Sequence, residues 1–263
     1  VRRSGTTLVQ RLLCSAPNTL IYGEGCANEL SILVNILLSR QMQFRYDHEQ
    51  RDQLLQRVLD GHTDEWIADL MPEMKGYMER LQPSYLKIFD YYRSFAEEQG
   101  RPVWGCKMAE WTAPNLVQAM RLFTQAKLIY IYRPLAECVR SAKKLDLVRS
   151  GQDIQQYAQH WLHGLHYVVQ NIDAKQLLLL DYVELVERPE AQLKRIEAFS
   201  GAEGIKMEVM NTRVNTFGYD RQEEQTAPGY LPPSQLSEEE EALLKPFQEQ
   251  LEIALAPTSN NNA

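Results

Sequence analysis

The sequence predicts an α/β fold built on a parallel sheet, and two observations carry that expectation. Three short apolar runs, VWGCKM (103–108), KLIYIYR (127–133) and QLLLLDY (176–182), have the branched and aromatic composition of strands covered on both faces. Helical patterns separate them: APNLVQAMRLF after a Thr112 cap with Pro114 in the first turn, PLAECVRSAKK from Pro134, and DIQQYAQHWLHGLHYVVQNI from Asp153. Strand, helix, strand in that order is the signature of crossover units, so the sheet is expected to be doubly wound with helices on both faces.

The chain opens on VRRSGTTLVQRLL (1–13). Leu8, Val9, Leu12 and Leu13 recur at the spacing of one apolar helical stripe, which places Gly5, Thr6 and Thr7 at the start of a helix. Backbone N–H groups there have no intrahelical acceptor, and they stand at the positive end of the helix dipole. Gly5 lets the chain approach whatever those amides face. Two hydroxyls and flanking arginines complete a candidate anion site, although an ordinary capped helix start has the same composition. The phosphate loop G-x-x-x-x-G-K-[ST] of ATP and GTP enzymes is the nearest comparison, but Thr6 stands where its lysine would be. Only Val1 and Arg2 precede Arg3, so the strand feeding this loop is expected upstream of Val1, which makes the first strand truncated in this numbering.

Residues 28–99 contain no strand pattern. ELSILVNILLSRQ, HEQRDQLLQRVLD and SYLKIFDYYRSFAEEQ read as three helices, an insertion between the first loop and the next strand of the kind that builds an acceptor pocket or a lid. Ser237 and Glu240 in SEEEEALL form a capping box that opens a last helix. Residues 1–256 are expected to make one domain, and APTSNNNA (256–263) ends the chain in a tail expected to be disordered from 257.

Length and composition bound the possibilities. With 263 residues and 44% hydrophobic content the chain has enough apolar surface for a large core. A net charge of -7 argues against general nucleic-acid binding, so an anionic ligand would be held by local basic groups. No apolar run approaches the roughly 20 residues of a membrane span. Cys14, Cys26, Cys106 and Cys138 form no C-x-x-C pair and sit in or beside apolar segments, which suits free thiols in a reducing, cytoplasmic compartment. His160, His163 and His166 tempt a metal reading, but their spacing leaves the outer two about 120° apart on a helix. Packing around Trp161 is the expected role of that run, and no metal is expected.

Ligands of an α/β sheet bind beyond the carboxyl ends of its strands. Lys107, near the end of the first apolar run, and Arg133, at the end of the second, therefore point toward the edge that carries the Arg3 loop. With these pieces joined, the sequence resembles the PAPS-dependent sulfotransferases, which take a sulfuryl group from 3′-phosphoadenosine 5′-phosphosulfate (PAPS). In that family an RSGTT loop binds the 5′-phosphosulfate, and a strand-end arginine followed eight residues later by a serine binds the 3′-phosphate. The matching positions here are Arg3, Ser4, Gly5, Thr6 and Thr7, then Arg133 and Ser141. LLLLDYVELVERPEAQLKRIEAFSG looks like the family's late strand and following helices, with Tyr182 near the adenine. RSGTTLVQRLLCSAPNTLIYGE and GYLPP (229–233) are similar to the tyrosylprotein sulfotransferases and their bacterial relatives; Tyr230 replaces a lysine of that branch, and Gly25 and Cys26 depart from it after Glu24.

The resemblance implies a P-loop-like three-layer sandwich, PAPS as co-substrate, and a hydroxyl-bearing acceptor: phenol, sugar, lipid or peptide tyrosine. In such a mechanism Glu24 is the candidate base that takes the acceptor proton, and Lys107 with Arg3 are the cations opposite the departing phosphate; Glu29, His48 and His62 are the next candidates for the base, the two histidines because the helical insertion is expected to line the acceptor pocket. A sulfuryl group carries less charge than a γ-phosphoryl, so a bridging Mg²⁺ is less needed. A phosphate-loop kinase of small molecules and a non-catalytic nucleotide-binding relative are the competing readings; oligomeric state is not legible.

Overall fold

The computed structural model describes residues 3–64, 67, 70–211 and 235–255, with side chains except at 44–47 and 252–255. Val1 and Arg2, GYLPP with Tyr230, and the tail from 257 lie outside the described residues.

Four short strands among the described residues form two parallel pairs. β1 (Thr19–Tyr22) pairs with β2 (Val103–Cys106), from Thr19 opposite Val103 to Tyr22 opposite Cys106. β3 (Leu128–Tyr132) pairs with β4 (Leu177–Asp181), from Leu128 opposite Leu177 to Tyr132 opposite Asp181. The three expected strands are present with trimmed ends, and parallel pairing is the α/β arrangement that the crossover pattern requires. Among the described residues β2 and β3 do not pair with each other.

Side-chain alternation sorts each strand between two helical layers. The first layer is α1 (Thr6–Ser15), α8 (Tyr182–Glu187) and α9 (Pro189–Ser200), which close over Ile131, Leu178 and Leu180, with Ile21 and Ile129 at the margin. The second layer holds α5 (Ala113–Leu122) and α7 (Gly151–Asn171), packed on Leu128, Tyr130 and Leu177. On the same side α2 (Glu24–Leu59) and α4 (Ile88–Glu98) enclose Tyr22, Trp104 and Cys106 through Cys26, Leu33 and Phe89. Helices on both faces of parallel strands make three layers.

The insertion lies between β1 and β2 and is built of helices, with a non-helical connection between Leu59 and Met74 in its described part. Two of its expected helices are one: α2 runs 36 residues without a break, because MQFRYD between them contains neither glycine nor proline. The third is two, since α3 (Met74–Leu86) stops at Lys87, where α4 begins. Glu73 starts α3 by accepting from the amides of Lys75 (2.9 Å) and Gly76 (2.7 Å).

β1 is the strand that sequence reading passes over. TLIY is too short and begins on a polar residue, so periodicity gives it no weight. What holds it is tertiary: Arg101 Nη1 donates to the carbonyls of Cys14 (3.1 Å), Ala16 (3.3 Å) and Thr19 (2.6 Å), joining the end of α1 to β1 and β2.

At the other end, α10 (Glu238–Leu255) starts with the expected capping box. The Ser237 amide donates to Glu240 Oε2 (2.9 Å) and the Glu240 amide to Ser237 Oγ (3.2 Å). Lys143, in α6 (Leu135–Lys144), donates to the same carboxylate at 2.6 Å and holds its pKa below the usual range. Leu244 seals the contact by packing with Val139, Ala142 and Trp161.

Candidate active site

The loop before α1 depends on glycine. Gly5 is the N-cap of α1 at φ +107°, and the amides of Leu8 (3.0 Å) and Val9 (3.2 Å) both donate to its carbonyl. A Cβ here would stand 2.6 Å from Tyr182 Cδ2 and 3.1 Å from Ile131 Cδ1. Position 5 thus requires glycine for its backbone angle and for the space it leaves. Arg3 is also left-handed, at φ +68°, unusual for a residue with a side chain. Both ends of Arg3 are tied to α6: its Nε donates to Ser141 Oγ at 2.9 Å, and its carbonyl accepts from the Cys138 thiol at 3.8 Å. Ser4 is buried, with 2% of its surface exposed.

Arg133 leaves the end of β3 and is 5% exposed. Its Nε donates to Glu137 at 2.7 Å, one turn into α6, and its guanidinium carbon lies 4.5 Å from the centre of the Tyr182 ring. Gly5 meets the same ring, so the loop, the aromatic side chain that follows β4 and the arginine that follows β3 are packed together. Ser141 is buried beside them. Burial, and then Cys138, push the Tyr157 phenol up, and burial pushes the Cys138 thiol up to about 11.

A raised thiol pKa links stability to pH. The contribution of neutral Cys138 is complete below its ordinary value of 9.0 and is lost as pH rises through about 11. Melting temperature is therefore expected to fall between pH 9 and 11 more steeply in the wild type than in Cys138→Ala; parallel curves would show that this thiol ionises as readily in the folded protein as in the unfolded chain.

The second half of the site sits at the ends of β1 and β2. Glu24 is the first residue of α2, and Lys107 directly follows β2, its backbone N–H donating to the Tyr22 carbonyl at 2.9 Å. Lys107 Nζ meets Glu24 Oε1 at 2.6 Å; the lysine side chain is 15% exposed and the glutamate 51%. Ser4, Thr6 and Lys107 line one cavity of about 1400 Å³, which also reaches His160 and His163.

Of the predicted residues, Arg3, Gly5, Arg133, Ser141 and Tyr182 are gathered around one packed cluster, and Glu24 and Lys107 form a pair. Glu29 is engaged elsewhere: it accepts from Tyr92 Oη at 2.6 Å, which pushes that phenol up to about 12. The continuous α2 carries His48 about 36 Å along the helix from Glu24, and His62 lies beyond its end. Among the described residues no three His, Cys, Asp or Glu side chains are grouped as metal ligands.

Three contributors were not anticipated. Glu137 was legible, being four residues after Arg133 at the start of a helix. Tyr157 and the Cys26–Cys106 contact were not. In that contact hydrogen bonding to Cys106 raises the Cys26 pKa and the same bond lowers that of Cys106, and no sequence spacing announces it.

A family model described as the sulfotransferase family matches residues 1–205, which include every residue named for this site. No curated protein matches the chain. Among solved structures, the sulfotransferase domain from the Synechococcus PCC 7002 olefin synthase matches at 19% identity and a TM-score of 0.49, over 93% of this chain and 90% of that one.

Proposed function

The chain belongs to the sulfotransferase family, and from that premise we propose that it transfers a sulfuryl group from PAPS to a hydroxyl-bearing acceptor by in-line displacement. The observation that carries the reading is the Lys107–Glu24 pair, 2.6 Å apart, with Lys107 lining the cavity that Ser4 and Thr6 of the anion loop also line.

In this reading the phosphosulfate lies on the Arg3–Thr7 loop, and Arg133 and Ser141 hold the 3′-phosphate. Donor binding offers Lys107 a new anion. The lysine turns from Glu24 to the bridging oxygen, and Glu24 is released as a proton acceptor. The acceptor O–H then loses its proton to Glu24 while its oxygen bonds to sulfur. The bond from sulfur to the 5′-phosphate oxygen breaks, and 3′,5′-adenosine bisphosphate leaves. Negative charge that grows on the bridging oxygen is met by Lys107, Arg3 and the first-turn amides of α1, all in place before the reaction.

Calorimetry with the nucleotide product tests the donor. Charge-assisted hydrogen bonds contribute roughly 1.5–3 kcal/mol, so 3′,5′-adenosine bisphosphate is expected to bind about 10- to 100-fold more tightly than 5′-AMP. Arg133→Ala should erase most of that preference. Equal affinities for the two nucleotides in the wild type would exclude a 3′-phosphate site, and with it PAPS.

A further inference from the structure

The first two turns of α6 hold both arginines of the proposed nucleotide site, each by its side chain and by its backbone. Glu137 accepts from Arg133 Nε at 2.7 Å, and Ser141 Oγ accepts from Arg3 Nε at 2.9 Å. The two backbones meet at a single atom. Cys138 Sγ lies 3.8 Å from the Arg3 carbonyl oxygen and 3.7 Å from that of Arg133, and its thiol donates to both. One side chain thus bridges the anion loop and the end of β3.

The surroundings of Cys138 suit that task. It is fully buried among Leu135, Val139 and Ala142, and burial pushes the thiol up to about 11, so its proton is present throughout the neutral range. The Tyr157 phenol of α7 is hydrogen-bonded to the same sulfur. A lone thiol is a weak donor, but a chain running from Tyr157 through Cys138 to two carbonyls strengthens its members. Arg3 needs such a hold: φ +68° is costly for a residue with a side chain and persists only where neighbours over-determine it.

We propose that Cys138 is a positioning residue that fixes the distance between Arg3 and Arg133, and through it the preference for a nucleotide with phosphates on both the 5′ and 3′ oxygens. The inference rests on the PAPS reading above and adds to it the group that sets the spacing. In 3′,5′-adenosine bisphosphate the ribose fixes the separation of the two phosphates. Once one of them is bound, the other meets its arginine at a high effective concentration, provided that the arginine stands at the matching distance. A monophosphate makes no demand on that distance. Loosening the bridge therefore weakens the bisphosphate alone.

Calorimetry with 3′,5′-adenosine bisphosphate, 5′-AMP and 3′-AMP tests this on the wild type, Cys138→Ala and Cys138→Ser. The two variants remove nearly the same volume, but serine keeps a proton for the carbonyls. Cys138→Ala is expected to bind the bisphosphate about tenfold more weakly, with both monophosphates within about twofold of the wild type, and Cys138→Ser should regain most of the loss. Tyr157→Phe keeps the thiol and removes its phenol partner; it should cost the bisphosphate alone about threefold, and it decides the matter if Cys138→Ala does not fold. A wild-type preference for the bisphosphate that persists in Cys138→Ala, or in Tyr157→Phe where that variant decides, would overturn the proposal and leave the PAPS reading standing. Equal losses for all three ligands, or a serine variant as weak as alanine, would overturn it too, by making the thiol a packing group. Equal affinities for the three ligands in the wild type would overturn the PAPS reading and this proposal with it.

Discussion

Glu24→Gln is expected to lower single-turnover transfer from PAPS by about 100-fold or more, while donor affinity is kept or improved. The substitution preserves shape and removes only the proton acceptor. It also removes the anion that holds Lys107 at 2.6 Å, so the lysine is freed for the donor. Lys107→Ala should cut turnover by about 100- to 1000-fold, because the cation opposite the leaving phosphate is lost, and it should weaken donor binding as well. Acceptor acidity separates the two roles. A phenol of low pKa needs little help from a base, so the Glu24→Gln rate should recover along a series of increasingly acidic phenols, whereas Lys107→Ala should stay low across it. An unimpaired Glu24→Gln rate on the least acidic phenol would remove Glu24 from the chemistry. Glu29 is then a poor substitute, being hydrogen-bonded to Tyr92, and His48 is a helix length away.

Gly5→Ala is expected to damage donor binding and stability together. A side chain at φ +107° costs about 1–2 kcal/mol in backbone strain alone. The added methyl also meets Tyr182 Cδ2 at 2.6 Å, and that ring cannot yield freely because the Arg133 guanidinium lies 4.5 Å from its centre. Displacing the ring disturbs Arg133, the proposed 3′-phosphate ligand, while the loop itself is pushed off its place. Affinity for 3′,5′-adenosine bisphosphate should fall about tenfold or more, with a lowered melting temperature. Tyr182→Ala combined with Gly5→Ala should restore part of the stability, since the contact is then gone while the strain remains. A single Gly5→Ala protein that melts and binds like the wild type would show that the loop does not use the observed conformation.

The parts of the molecule legible in sequence are those set by local chemistry. Continuous apolar runs marked β2, β3 and β4; Ser237 and Glu240 marked the start of α10; SGTT before Leu8 marked α1 and its N-terminus. The ends of two of those strands supplied Lys107 and Arg133. What escaped is held by distant partners. β1 owes its place to pairing with β2 and to Arg101, 82 residues from Thr19. Ser141 was expected at a 3′-phosphate and is found accepting from Arg3, a side-chain contact across 138 residues that no spacing rule encodes.

The stack of Gly5, Tyr182 and Arg133 also imposes an order on biogenesis. Gly5 leaves the ribosome long before Arg133 and Tyr182, and at about 5–20 residues per second the intervening stretch takes roughly ten to thirty-five seconds to synthesise. Throughout that interval the nascent Arg3 loop has neither the ring that shapes it nor the serine that ties it down. A chain stalled after α5 would carry the loop and the Glu24–Lys107 pair yet lack Arg133, Ser141 and Tyr182, the residues proposed to hold the nucleotide. On the proposed reading, ligand-assisted folding is therefore closed to the early chain: a nucleotide can stabilise it only once translation has passed β4.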